Sequence, residues 1–241
     1  MTISVVTTPS GRDLPLADRP SPARLEAAAR VTAAARAELC QRPDELSLRA
    51  VARRAGLDPR EVSRLVESRE QLVANVMFEL VSEAHDAVRP ALEATAGAAS
   101  RDRLVAVARA YRGWALAHPA ELWTLLSPRR RTTQDRAASV RAMRWFYGPV
   151  LELFTAALAA GEIDVDAARC TDRSARLVHP VFLDLVGGLD ARVVSGCLAM
   201  LTGLQGHLVL ETCGQLSALF GDLDRAFDAQ VGSLLDAAGV R

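Results

Sequence analysis

Two arginines four residues apart, Arg60 and Arg64, follow a glycine and a proline in the stretch Leu48 to Val66, LRAVARRAGLDPREVSRLV. On a helix that spacing sets both guanidinium groups on one face. A guanidinium so placed can donate two parallel hydrogen bonds to the O6 and N7 edge of guanine, a pairing worth about 1–3 kcal/mol of discrimination between bases. Ser63, between them, offers a hydroxyl to a base or a phosphate. Ser47, Arg49 and Arg69 fall at or near expected helix N-termini, where hydroxyls, guanidinium groups and free backbone amides suit phosphate oxygens. These last three would position the chain on double-stranded DNA; Arg60 and Arg64 would read it.

Such chemistry needs two short helices that cross closely and hold their polar faces outward. Ala52 is small where the crossing must be tight, and Gly56 stands where the turn calls for a left-handed backbone. Val51, Ala55, Leu57, Val62 and Leu65 supply a shared apolar interior. Asp58-Pro59-Arg60-Glu61 opens the next helix with a cap, a first-turn proline and a carboxylate three residues on; Ser68-Arg69-Glu70-Gln71 opens another in a similar way. The pattern is that of a helix-turn-helix. The competing reading is a helical hairpin coated with arginine, in which Arg53 and Arg54 are simply solvated and Ser47 and Ser68 only cap.

Around this window the fold is expected to be all-α, since strand signals are nearly absent and apolar residues recur three or four apart. Ser21 and Pro22 start a first helix that buries Leu25, Ala28, Ala35 and Leu39 and stops near Gln41-Arg42-Pro43. Ser47 caps a second helix through Ala55, Asp58 a third from Pro59, and Ser68 a fourth that runs toward Arg89-Pro90. A low-complexity connector, ALEATAGAAS, follows, and further helices are expected near 101–117, 119–126, 133–160, 167–186, 190–213 and 222–238, with Pro180 kinking its own helix. The resulting division is a disordered tail over 1–20, a three-helix DNA-binding domain over 21–68 and a larger helical domain over 69–241.

Composition narrows the function classes. Net charge is zero and all 29 basic residues are arginine, so total charge says nothing about a nucleic-acid partner. Its distribution does: residues 19–70 hold eleven Arg against eight acidic residues, a balance of +3, whereas 145–241 hold six against twelve, a balance of −6. Cys40, Cys170, Cys197 and Cys213 are scattered without a Cys-x-x-Cys pair and read as reduced core thiols, in keeping with a cytoplasmic location. The N-terminus lacks a basic start and a long apolar stretch, so it is not a secretory signal. Val193 to Leu210 carries no formal charge, but Ser195, Thr202, Gln205, His207 and three glycines interrupt it, which suits a helix buried in protein better than a membrane span. His85, His118, His179 and His207 have no companions at metal spacing, and no nucleophile elbow, phosphate loop or carboxylate cluster is present. Neither an enzyme nor a cofactor is expected.

In the larger domain Tyr111, Trp114, His118, Trp123, Met143, Phe146 and Phe182 are candidates to line an apolar effector cavity, although aromatics at helical spacing also build ordinary cores. Arg129-Arg130-Arg131 reads as a solvated loop, with contact to an anionic effector or to the edge of DNA as the lesser reading. Gly196, Ala199, Gly203 and Gly206 form a small-residue stripe that lets another helix approach closely, within the subunit or across a homodimer, and the amphipathic segment DLDRAFDAQVGSLLDAAGV can accompany it.

With these residues in view, the chain resembles the TetR family of regulators. Over roughly residues 22–80, RLVESREQL matches the family's third helix, short turn and Ser-Lys-Glu start of a long apolar helix. Ser63, Leu65, Val66 and Arg69 stand where that family often has tyrosine, histidine or tyrosine, phenylalanine and lysine. More weakly, YRGWALAHPAELWTLL and LTGLQGHLVLETCG resemble a TetR effector domain with a Tyr/Phe…His-Pro-x-Leu element and a late Leu-x-Gly-Leu helix, with Leu198 and Thr202 replacing its common tryptophan and histidine. The resemblance implies a homodimeric repressor of operator DNA, paired through its last two helices and released by a small molecule. The alternative it leaves open is a TetR-like ligand- or protein-binding protein whose helix-turn-helix reads no operator.

Overall fold

Every helix start in the first eighty residues is written in the residue that precedes it. In the computed structural model, which describes residues 21–42, 46–127, 136–166, 175–178, 180, 183 and 190–241 (136–145 by backbone alone), the Ser21 hydroxyl accepts from the Arg24 amide and opens α1, Pro22–Gln41. Ser47 accepts from Ala50 and opens α2, Leu48–Ala55; Asp58 accepts from Arg60 at 2.8 Å and opens α3, Pro59–Leu65; Ser68 accepts from Gln71 and opens α4, Arg69–Ala94. Each cap satisfies an amide that the helix itself leaves without a partner. Beyond these come α5 (Ser100–Ala117), α6 (Pro119–Leu126), α7 (Arg136–Ala159), α8 (Ala191–Thr212), a single 3₁₀ turn (Leu216–Ala218) and α9 (Leu223–Ala237). Among the described residues the fold is all helical, with one isolated antiparallel bridge between Ile163 and Val240.

The chain forms two compact units, Met1–Phe78 and Glu79–Arg241. Their division falls inside α4, whose first turns bury Leu72 and Val76 as fully as the core residues of α1 to α3. In the first unit Val31, Ala34, Ala35 and Leu39 of α1 close over Val51 and Ala52 of α2 and Val62 of α3. Ala55, Leu57 and Leu65 are only half-buried and edge this core. The expected α1 stripe is corrected at its start: Leu25 is 56% exposed and Ala28 half-buried, since the buried face begins only at Val31.

The second unit is organised around α5 and α8. Leu104, Val107, Ala108 and Trp114 of α5 meet Phe154 of α7, Val194, Met200 and Leu204 of α8 and Phe227 of α9 in one apolar cluster. Polar ties across long sequence separations fix the periphery. The Glu162 carboxylate accepts from the Ser100 amide at the start of α5, Arg101 donates to the Val240 carbonyl, and Arg241 pairs with Asp164. The α4 helix does not stop at Pro90 as expected but runs on to Ala94. A proline forfeits one hydrogen bond, whereas the following Ala-Leu-Glu-Ala favours helix and Leu92 packs on the core. The helix expected near 167–186, with its kink at Pro180, lies largely outside the described residues, as do Arg129-Arg130-Arg131, Cys170 and His179.

Candidate functional site

The helix-turn-helix is held by two arginines that do not touch the outward face. Gly56 adopts φ 65°, ψ 38°, and its neighbour Leu57 donates back to the Ala52 carbonyl at 3.0 Å, ending α2 in a left-handed turn. Arg30 of α1 then spans the end of α2, donating to the Ala55 carbonyl from Nε (3.1 Å) and Nη2 (2.8 Å) and to the Gly56 carbonyl at 3.3 Å. A cation at the carbonyl end of a helix meets its negative pole and fills acceptors the helix leaves open. Arg54 is likewise tied to α1, through Glu38 at 2.9 Å and Gln41 at 3.2 Å, rather than simply solvated. The sequence reading missed Arg30; its signal was a basic residue on a helix otherwise rich in alanine, too common to single out.

On the outward face Arg60, Ser63 and Arg64 of α3 are all exposed. Neither the Arg60 nor the Arg64 guanidinium makes a hydrogen bond or ion pair among the described residues, so both keep every donor. Ser63 donates its hydroxyl to the Pro59 carbonyl at 3.0 Å and retains only its acceptor capacity. Arg49 is exposed on α2, and Ser47 is exposed while capping that helix. Arg69 also has an internal contact: its Nε donates to the Leu46 carbonyl at 2.8 Å, binding the start of α4 to the loop before α2.

Within the second unit a cavity of about 60 Å³ lies among α4, α5, α7 and α8. Tyr111 and Phe146 line it, with centroids 6.3 Å apart and rings nearly perpendicular. Trp114 and His118 do not; Trp114 stacks on Tyr111 from behind at 5.8 Å and His118 stacks on Trp114 at 5.5 Å, its Nδ1 against the Trp114 carbonyl. Trp123 is 43% exposed and lies outside the lining. The side chains of Met143 and Phe182 fall outside the described residues.

Three polar groups at the cavity were not anticipated. Gln205 of α8 donates from Nε2 to the Tyr111 hydroxyl at 3.4 Å, while its Oε1 is buried without a partner. Tyr147 lines the wall, and burial pushes its hydroxyl and that of Tyr111 up, so both stay protonated. His85 of α4 places Nε2 3.2 Å from the Phe146 carbonyl, close to Pro149, where α7 lacks one backbone donor.

The small-residue stripe of α8 divides. Residues seven apart share a helix face, so Gly196 and Gly203 turn one way and Ala199 and Gly206 another. A Cβ on Gly203 would sit 2.6 Å from a methyl of Leu234, and one on Gly196 would touch Ala238, so these two serve close packing on α9 of the same subunit. Ala199, Thr202 and Gly206 are exposed, and Leu210 is 40% exposed on the same uncharged side. By length and hydropathy α8 could cross a membrane, yet half of its most apolar window is buried inside the unit. Its one buried carboxylate, Glu211, takes a two-pronged pair from Arg112 of α5, which also reaches Asp224 of α9 at 2.7 Å and lies over the Phe227 ring. Of the thiols, Cys197 is buried and pushed up to about 12, Cys40 is half-buried, and Cys213 is exposed rather than in the core, since it follows the last turn of α8.

The Tetracyclin repressor-like, C-terminal domain family matches residues 104–234. The HTH-type transcriptional regulator Rv1816 of Mycobacterium tuberculosis is 31% identical over 195 residues, covering 79% of this chain and 82% of that protein, and Mb1846 of Mycobacterium bovis matches equally. Among solved structures, SCO4313 superposes with a TM-score of 0.64 at 23% identity over 90% of this chain and 98% of its own; a TetR-like transcriptional regulator from Rhodococcus sp. RHA1 gives 0.51 at 16% identity over 89% and 95%. These two likenesses concern the fold, whereas the family match and the Mycobacterium relatives reach further: the chain belongs to the TetR family of transcriptional regulators.

Proposed function

We propose that this regulator is a homodimeric, cytoplasmic repressor that reads operator DNA with α3 and leaves it when a small molecule occupies the cavity of the second unit; it catalyses no reaction. The observation that carries this reading is the pair of exposed, unpartnered guanidinium groups of Arg60 and Arg64 on one face of a helix fixed by the Gly56 turn. Arg49, Ser47 and Arg69 supply phosphate contacts beside them. The uncharged side of α8 around Ala199, Thr202, Gly206 and Leu210, with α9, is the surface that pairs two subunits. Such pairing would set two recognition helices about 34–36 Å apart, one turn of DNA.

The release step follows from α4, a continuous helix whose first turns belong to the core of the DNA-reading unit and whose Ala84, His85 and Val88 line the cavity. A ligand that favours one position of α4 weakens DNA binding by their coupling, typically about 1–3 kcal/mol. Gel-shift titration on the DNA upstream of the gene tests the assignment. Arg60→Ala with Arg64→Ala should flatten the preference among base substitutions, and Arg69→Ala should weaken all sequences alike. Unchanged sequence preference in the double variant refutes the role of α3, and the absence of any preference in the unaltered protein at every salt concentration favours a regulator-like binding protein without an operator.

A further inference from the structure

The cavity's chemistry restricts what can occupy it, and this inference rests on the effector reading above. Among the described residues no Asp, Glu, Lys or Arg lines the cavity; its walls are aliphatic and aromatic, with Leu104, Val107, Phe146 and Met200 typical of them. An ionised ligand would lose its hydration there and meet no countercharge, a cost of several kcal/mol. Tyr111 and Tyr147 remain neutral phenols, so they supply no compensating charge either. One acceptor in the wall is unmatched: Gln205 Oε1 is buried without a hydrogen-bond partner among the described residues, and a buried carbonyl left so costs about 1–3 kcal/mol.

We infer that the effector is an uncharged, mainly apolar molecule, with an aromatic ring or one of similar size, that donates one hydrogen bond to Gln205 Oε1. The perpendicular Tyr111 and Phe146 rings, and Phe146 against Tyr147 at 4.7 Å, offer edges and faces to such a ring. At about 60 Å³ the cavity is smaller than the roughly 150 Å³ that holds benzene in an apolar core, so one wall must give. The wall at Pro149 is the one with a missing backbone rung, and there the His85 ring joins α4 to the Phe146 carbonyl. Entry of a ring at this wall strains that link and so acts on α4.

Phenol and toluene, nearly equal in shape, are the probes, with benzoate as the anion. Calorimetric titration gives the ratio of the toluene to the phenol Kd in the unaltered protein and in Gln205→Met, a comparison in which the different hydration of the two probes cancels. The ratio should fall about tenfold in the variant, the loss of one buried hydrogen bond, and benzoate should not compete. A crystal of the unaltered protein grown with phenol should show its oxygen within hydrogen-bonding distance of Gln205 Oε1, which tests the contact even if the variant misfolds. An equal ratio in both proteins, competition by benzoate, a phenol oxygen turned elsewhere, or no binding of either neutral probe each overturns the inference. Operator binding is measured on the same preparations: sequence preference that persists while the phenol contact fails overturns this inference alone, and the converse overturns the regulator reading alone.

Discussion

The two units of this regulator are stabilised by different kinds of information. In the DNA-reading unit, Ser21, Ser47 and Asp58 each bond an amide two or three residues onward, and the turn depends on one glycine. In the effector unit Asp190 and Asp222 cap α8 and α9 locally, but α5 and α6 begin without a side-chain cap from the preceding residue, and the first amide of α5 is taken by Glu162, 62 positions away. Arg112 and Glu211, 99 positions apart, form an ion pair whose side chains are 14% and 2% exposed. Local caps open every described helix of the first unit, whereas the sensing unit uses them for some helices and for others relies on ties that only tertiary structure brings together.

The sharpest way to break this contrast is at Arg112 and Glu211. Glu211→Leu should cost about 3–5 kcal/mol in urea unfolding followed by tryptophan fluorescence, because it leaves a guanidinium only 14% exposed with Asp224 as its remaining carboxylate. Adding Arg112→Met should restore most of the loss, since replacing both charges by apolar groups is close to neutral. In the DNA-reading unit, Gly56→Ala should cost about 1–2 kcal/mol for a left-handed alanine, read by far-UV circular dichroism. Arg30→Ala should cost a similar amount, about 1–2 kcal/mol, through loss of the carbonyls it spans.

A gentler probe is pH. Burial, opposed by Glu211 and aided by Arg112, lowers the His207 pKa below its ordinary 6.5, so the unfolded chain binds the proton more readily than the folded one. The stabilisation is therefore complete above that ordinary value and is lost as pH falls below it, with a slope of at most about 1.4 kcal/mol per pH unit. Thermal melts from pH 7.5 to 5 should show this slope, and His207→Gln should reduce it. Smallest of all, the Arg60 and Arg64 double variant should leave stability within about 0.5 kcal/mol, as exposed and unpaired side chains do, while abolishing base preference.

The sequence made the first unit legible almost to the residue, since capping serines, the Asp58-Pro59 start and Gly56 each act through neighbours in the chain. It was less informative about the cavity. Tyr111 and Phe146 could be named from residue type alone, but type could not separate them from Trp114, which lies behind Tyr111, or from Trp123, which is partly exposed. Gln205 carried a usable signal, a polar amide in an otherwise apolar helix, which had served only to argue against a membrane span. Pro90 misled because a proline removes a single bond, and a run of strong helix formers beyond it outweighs that loss.

Gly203 and Leu234 fit as a hollow and the methyl that fills it, with no clearance for another carbon. A Cβ at 203 would meet only the far end of the half-buried Leu234 side chain, which must turn aside or shorten to admit it, and a shorter residue at 234 leaves a void beside 203. The two positions are thus coupled through one rotatable side chain, and an alanine at 203 should be accommodated by a new Leu234 rotamer that a crystal structure of the variant would display.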